Sequence, residues 1–139
     1  MSIVIRLLTP EDAGLIANSA HLFDEQPLPV QTSDFLSRPD HFIWFALENG
    51  RAIGFVSASL YRNADKQDEM FIHELGVDAC ARRKGVGSKL VEIVTGKARE
   101  LGCGHVFVFA EGDDGRAQQF YRSLEGKEEQ AVMFGWEIA

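Results

Sequence analysis

A domain of the α/β (α+β) type, built on one mixed sheet with flanking helices, is what this 139-residue sequence predicts. Three observations carry that expectation. Short β-rich apolar runs alternate with stretches of helical periodicity, and Asn49-Gly50 joins two of those runs as a type I′ hairpin. A strand-like segment, 70–77, then passes through a basic glycine turn into a long amphipathic stretch, 86–101.

Taken in order, residues 3–8 read as a first strand, and Thr9 offers a capping hydroxyl before Pro10 at the first helical position of a helix to about residue 22. A short helix is expected near 33–37. Segments 41–47 and 52–60 are the arms of the hairpin, and 70–77 is the next strand. On 86–101, Leu90, Val91, Val94, Ala98 and Leu101 share one face, with Gly102 placed to end the helix. Residues 106–110 read as a buried strand. Asp113 or Asp114 then caps a helix to residue 124, with Ala117, Phe120, Tyr121 and Leu124 on one face and Gly126 closing it; residues 130–138 supply the final strand. The longest loops, 24–31 and 61–68, are short enough for a single domain over 1–139.

Composition narrows the function. A 45% hydrophobic chain of this length buries one core, and 25% charged residues cover an ordinary surface. A net charge of −7 argues against a general nucleic-acid binder. The acids cluster at Asp24-Glu25, Asp65, Asp68-Glu69, Glu111, Asp113-Asp114, Glu125 and Glu128-Glu129, which either attract a polycationic substrate or are solvated loop charges. Cys80 and Cys103 have neither metal-like nor redox-like spacing, so no metal is expected. With no secretory leader at 1–6 and no run of about 18 uncharged apolar residues, the expectation is a cytoplasmic protein without a membrane span.

Arg82-Arg83-Lys84-Gly85-Val86-Gly87-Ser88 is the most informative segment. A strand, a basic glycine turn and a helix build a polyphosphate site, because the first helical amides lack intrahelical partners and carry partial positive charge. The spacing fits no P-loop. It also fails the dinucleotide fingerprint, whose third glycine would stand at Leu90.

What fits is Arg/Gln-x-x-Gly-x-Gly/Ala, met by Arg82, Gly85 and Gly87. This resembles the coenzyme A pyrophosphate loop of the GNAT superfamily of N-acetyltransferases. The resemblance extends over the preceding strand, Phe71-Ile72-His73-Glu74-Leu75-Gly76-Val77, and over Phe120-Tyr121-Arg122-Ser123-Leu124, so it covers most of the chain from about Gly50 onward. Leu22-Phe23-Asp24, the run from Asp68 to Val77, and Val132-Met133-Phe134 look like class I aminoglycoside 3-N-acetyltransferases and their relatives. One departure is Asp114, where relatives usually carry asparagine at a pantetheine contact.

The resemblance implies a mostly antiparallel twisted sheet with a coenzyme A cleft between two splayed parallel strands, acetyl-coenzyme A as cosubstrate, and a homodimer. It implies that the backbone from Arg83 through Lys84, Gly85, Val86 and Gly87 to Ser88 holds the pyrophosphate, with Arg82, Arg83 and Lys84 adding charge. The edge through Leu75, Gly76 and Val77 would pair with pantetheine, and an N–H near Val77 would stabilise the oxyanion. Asp24, Glu25, Glu69, Glu111 and Asp113 would hold a cationic amine such as an aminoglycoside.

Glu74 is the candidate base, acting directly or through water. A carboxyl at about 4.3 facing an amine near about 8 is a weak base, so either burial raises it or the amine arrives neutral and Glu74 orients it. Strand alternation places it with Met70 and Ile72, away from Phe71, His73, Leu75 and Val77. Alternatively, Glu74 is a solvated or ion-paired strand acid. Tyr121 is the candidate acid for the departing thiolate, a transfer uphill by roughly 2 kcal/mol in water, or else a core filler. His73 is a further candidate base or a packed neighbour. Two other functions fit: transfer to a polyamine, metabolite or protein amino group, and a non-catalytic acyl-coenzyme A sensor.

Overall fold

The computed structural model describes residues 2–139, which cluster into two compact units, 2–108 and Phe109–Ala139. In the first unit a five-stranded sheet runs in chain order: β1 (Ile3–Leu7), β2 (His41–Glu48), β3 (Arg51–Tyr61), β4 (Glu69–Val77) and β5 (His105–Val108). The first three pairings are antiparallel and β4–β5 is parallel. The hairpin forms as expected, with Asn49 at φ 53° and Gly50 at φ 80° turning Glu48 onto Arg51.

Helix α3 (Val86–Glu100) lays Val86, Leu90, Val94 and Ala98 on one face of the sheet, against Trp44, Ala46, Ile53, Val56, Ala58, Met70 and Ile72. The opposite face is covered by α1 (Ala13–Ala17) and α2 (Pro29–Ser37) over Ile43, Phe45 and Phe55. The expected continuous helix to residue 22 is broken. A 3-10 turn, Pro10–Asp12, leads into α1, the Ser19 hydroxyl donates to the Leu15 carbonyl at 2.7 Å where α1 ends, and a second 3-10 turn spans Ala20–Leu22. Helix α2 is longer than expected because Pro29 pre-sets the first turn.

The alternation expected along β4 does not hold. Ser57 pairs with Glu74 but Ala58 pairs with Ile72, so His73 is an extra residue, a β-bulge. Residues before and after it therefore switch faces. Met70 and Ile72 share the α3 face with Leu75 and Val77, whereas Glu74 lies with Phe71, Ser57 and Ser59 on the other.

In the second unit, α4 (Gly115–Ser123) is capped by the Asp114 carboxylate, which accepts the Ala117 N–H at 3.1 Å. Glu125, at φ 64°, rather than Gly126, takes the left-handed position after the helix, and the Gly126 N–H returns to the Tyr121 carbonyl at 3.2 Å. The expected final strand over 130–138 is absent. That stretch is exposed throughout, and among the described residues of its unit no strand offers it a backbone ladder. Among the described residues, no helix is long and apolar enough to cross a membrane.

Gly76 marks a close approach of two chain segments. A Cβ there would stand 2.6 Å from the Leu22 carbonyl oxygen and 2.8 Å from Phe55 Cε1. Gly76→Ala is expected to cost about 2–3 kcal/mol by overpacking, a fall in Tm of about 6–12 °C, measured by thermal unfolding.

Candidate active site

Two features meet along β4, an anion-binding helix start beyond its C-terminal end and a carboxylate at its bulge. Asp78 follows the strand and is fixed by Arg51, whose Nη2 donates to Asp78 Oδ2 at 2.9 Å. The chain then makes a 3-10 turn, Ala79–Ala81, and enters the basic loop. Arg83 at φ 67° and Gly85 at φ 77° place two left-handed residues around Lys84, the backbone habit of anion-binding nests. The first bond into α3 runs from the Lys89 N–H to the Gly85 carbonyl, 3.1 Å, so helix geometry leaves the Val86, Gly87 and Ser88 amides without intrahelical partners. Gly85 supplies the positive φ cheaply at the N-cap.

The three bases are not equivalent. All three are exposed, but Lys84 Nζ lies 3.5 Å from Glu48 Oε1, whereas Arg82 and Arg83, among the described residues, have no acidic partner within 4.0 Å. They are the two bases of the loop without an ion-pair partner.

The β4–β5 pairing covers only Glu69 to Ile72 against His105 to Val108. Among the described residues, no strand is paired to the outward edge of β4 from His73 to Val77. The Asp78 N–H points inward to the Ile53 carbonyl at 2.8 Å, so alternation turns the Val77 N–H to the open edge. The edge through Leu75, Gly76 and Val77 has the geometry to accept an amide-bearing chain.

At the bulge, the segment after the second 3-10 turn is pinned by Phe23, whose ring lies 4.2 Å from Phe55 and 6.3 Å from Phe45. That anchor brings the Asp24 backbone N–H to the Glu74 carboxylate. Burial, together with the charges of Asp24 and Glu25, pushes the Glu74 carboxyl above its ordinary value, in the direction a base for an amine requires. Asp24, Glu25 and Glu74 form one acidic cluster. Glu69 stands apart from it, five residues or about 17 Å along the strand, and is engaged by His105 Nδ1 at 2.8 Å and Asn63 Nδ2 at 3.1 Å, which hold its carboxyl below the usual range.

The remaining expected residues belong to the second unit. Tyr121 on α4 is half-buried, and burial plus the Asp114 carboxylate raise its phenol above the ordinary value. The Asp114 carboxylate is engaged in capping. The Glu111 carbonyl accepts from Asp114 N–H and Gln118 Nε2, while Glu111 and Asp113 are exposed.

His73 and Ser59 are linked, with Ser59 Oγ 2.7 Å from His73 Nε2, a pairing that strand alternation does not reveal. The signal for the bulge is nonetheless in the sequence. Apolar core residues fall at 70 and 72 and then at 75 and 77, a phase change that needs one extra residue.

Parallel strands paired over only part of β4, followed by a helix start with free amides and two unpaired arginines, are the arrangement that the resemblance to coenzyme A-dependent acyltransferases implies. The sequence profile of the acetyltransferase (GNAT) family matches residues 10–125, and the chain belongs to that family. A D-amino-acid N-acetyltransferase of Saccharomyces cerevisiae is 34% identical over 142 residues, covering 94% of this chain and 88% of the relative. An uncharacterised N-acetyltransferase of Methanocaldococcus jannaschii is 31% identical over 105 residues; the match takes in 73% of this chain but only 46% of the archaeal protein. Among solved structures, an aminoglycoside acetyltransferase from an uncultured soil metagenomic sample, in complex with sisomicin, superposes with a TM-score of 0.91 at 24% identity, covering 99% of this chain and 97% of that one. The aminoglycoside acetyltransferase AAC(6′)-Iy, bound to a bisubstrate analogue of coenzyme A and acetylneamine, gives 0.87 at 20% identity with full coverage of both chains.

Glu74→Gln tests the raised carboxyl without requiring a substrate. A folded-state value above the unfolded one means that the native state holds its proton more tightly, so native stability falls as pH rises through the window between the two values. The variant is expected to show a higher Tm than the parent at pH 7, a gap that closes below about pH 4. Paired thermal melts at the two pH values check this.

Proposed function

We propose that this chain acts as a single N-acetyltransferase domain over 1–139 in the cytoplasm, moving acetyl directly from acetyl-coenzyme A to a primary amine of a cationic small molecule. The observation that carries the acceptor class is the convergence of Asp24 and Glu25 on Glu74, which gathers three acids at the bulge. An aminoglycoside, acetylated at a 3-amino group as the sequence resemblance suggests, is the leading acceptor. A small amino acid is the second reading, supported by the 34% identity to the yeast enzyme.

The coenzyme fits the residues present. The amides of Val86, Gly87 and Ser88, with Arg82 and Arg83, would hold its diphosphate, and when bound it supplies the thioester. The Val77 N–H would face the carbonyl oxygen as negative charge develops on it. Glu74 would accept the amine proton directly or through a water. Tyr121 would return a proton to the departing sulfur; its raised phenol makes it a poorer donor in water, and a poorly solvated thiolate is correspondingly more basic. Neither free cysteine lies in the loop or at the bulge, so no covalent enzyme intermediate is invoked.

Thiol release from acetyl-coenzyme A, with mass spectrometry of the product, is measured against aminoglycosides, amino acids of both hands and polyamines. Turnover on aminoglycosides, with the modified amine located by fragmentation, is the expected result; binding of coenzyme without turnover on any acceptor identifies a sensor. Replacing both unpaired arginines, Arg82→Glu with Arg83→Glu, is expected to weaken coenzyme A binding at least about tenfold by calorimetry without unfolding the chain.

The C-terminal segment supports a homodimer. Val132, Met133, Phe134, Trp136 and Ile138 are between 77% and 91% exposed, an apolar strip unsuited to a solitary chain in water. Its removal after residue 127 is expected to convert a dimer to a monomer in light scattering coupled to gel filtration.

A further inference from the structure

Glu74 faces the acceptor side because His73 is inserted ahead of it, and the structure shows what grips that inserted residue. We propose that His73 and Ser59 are a positioning pair that sets the geometry of the β4 bulge and thereby aims the Glu74 carboxylate; this rests on reading Glu74 as the group that meets the amine.

His73 has no residue opposite it in the β3–β4 register, so the ladder alone does not fix its side chain. Contacts from four elements do. Ser59, buried on β3, binds Nε2 at 2.7 Å. Phe35 of α2 meets the imidazole edge-on with centroids 6.0 Å apart, and Phe71 of β4 lies at 5.0 Å. His41 of β2 stands at 6.0 Å, and its own Nδ1 is 2.8 Å from Asp40 Oδ1. The same Phe35 also meets His41 edge-on at 5.0 Å, so one helical aromatic clamps both imidazoles.

Ser59 is opposite Phe71 in the register, two residues before the inserted one. Its bond to His73 therefore crosses the bulge and ties the end of the regular ladder to the kink. Glu74 is the next residue, so a rotation of the kink is passed directly to its carboxylate. Misplacing a reacting group by about an ångström is enough to lose much of a rate.

The titratable groups around Glu74 are Asp24 and Glu25, and those beside His73 are His41 and, behind it, Asp40. Partial burial and His41 lower the His73 value, so the imidazole is neutral at pH 7 and shares a neutral hydrogen bond with the hydroxyl. With Nε2 engaged by the buried Ser59 hydroxyl, His73 is read as a holder of geometry.

Ser59→Ala, His73→Phe and the double variant separate positioning from bulk stability, since phenylalanine keeps the ring packing and loses only the hydrogen bond. The Glu74 carboxyl is titrated by carbon-13 NMR, with its signal assigned by its loss in Glu74→Gln, and coenzyme A affinity and kcat are measured on the same proteins. Each single variant is expected to lower the Glu74 midpoint as the carboxyl turns towards water, to reduce kcat about tenfold, and to leave coenzyme A affinity unchanged, with the double variant no worse than either single. A Glu74 midpoint that stays or rises in folded Ser59→Ala overturns the proposal, as does a double variant whose losses simply add. If Glu74→Gln turns over at the full rate while the midpoint still falls in both single variants, the positioning pair stands and the catalytic reading of Glu74 is what fails.

Discussion

One inserted residue in β4 governs the rest of this architecture. Without it, a nine-residue strand presenting Met70 and Ile72 to α3 would turn Glu74 into the same apolar layer, where an unpaired carboxylate is costly. With it, Leu75 and Val77 continue the α3 core and Glu74 moves to the face carrying Ser57, Ser59 and Phe71. A single strand thus serves two chemistries, core packing on one side and a titratable group on the other, and the switch occurs at His73.

The parting of β4 and β5 follows within one residue. Parallel pairing ends at Ile72 and Val108, next to the bulge and at the last residue of β5. The gap leaves the Val77 N–H on an open edge, and the basic loop starts five residues later. Electrostatics are divided accordingly. The α3 start, with two left-handed backbone residues and two unpaired arginines, is positive on a chain of net charge −7, while the bulge collects three acids. Positive and negative charge are thereby segregated between the turn that follows β4 and the bulge within it.

Much of this was legible in the sequence, and the misses share a physical cause. Local signals read correctly: Asn49-Gly50 for the hairpin, Arg82 to Ser88 for the helix start, and the Leu90, Val94, Ala98 spacing for the buried face. What failed needed knowledge of pairing. Strict alternation put Glu74 on the wrong face because a register shift is a property of two strands, though the move of apolar residues from 70 and 72 to 75 and 77 records it. The early helix broke because Ser19 bonds back to Leu15, a choice that propensity does not fix. The strand expected over 130–138 has the β-rich composition but no ladder in its own unit, and composition cannot supply a partner.

The two titratable groups offered for chemistry are shifted by the same physics with opposite consequences. Burial raises both the Glu74 carboxyl and the Tyr121 phenol. For the carboxyl this is a gain, since it shortens the distance to the value of an amine and lets the proton be held rather than lost to water. For the phenol it is a handicap, because a stronger hold on the proton makes donation to a thiolate steeper. Desolvation acts on the thiolate as well, and a compact aliphatic sulfur anion deprived of water becomes more basic. Tyr121 would therefore serve as an acid only where water is excluded from the leaving sulfur, whereas Glu74 would serve as a base once its carboxyl is aimed. On the proposed reading the dependence on exclusion would belong to Tyr121 and the dependence on aim to Glu74, so the geometry of the β4 bulge, more than a raised pKa, would set what that carboxylate can do.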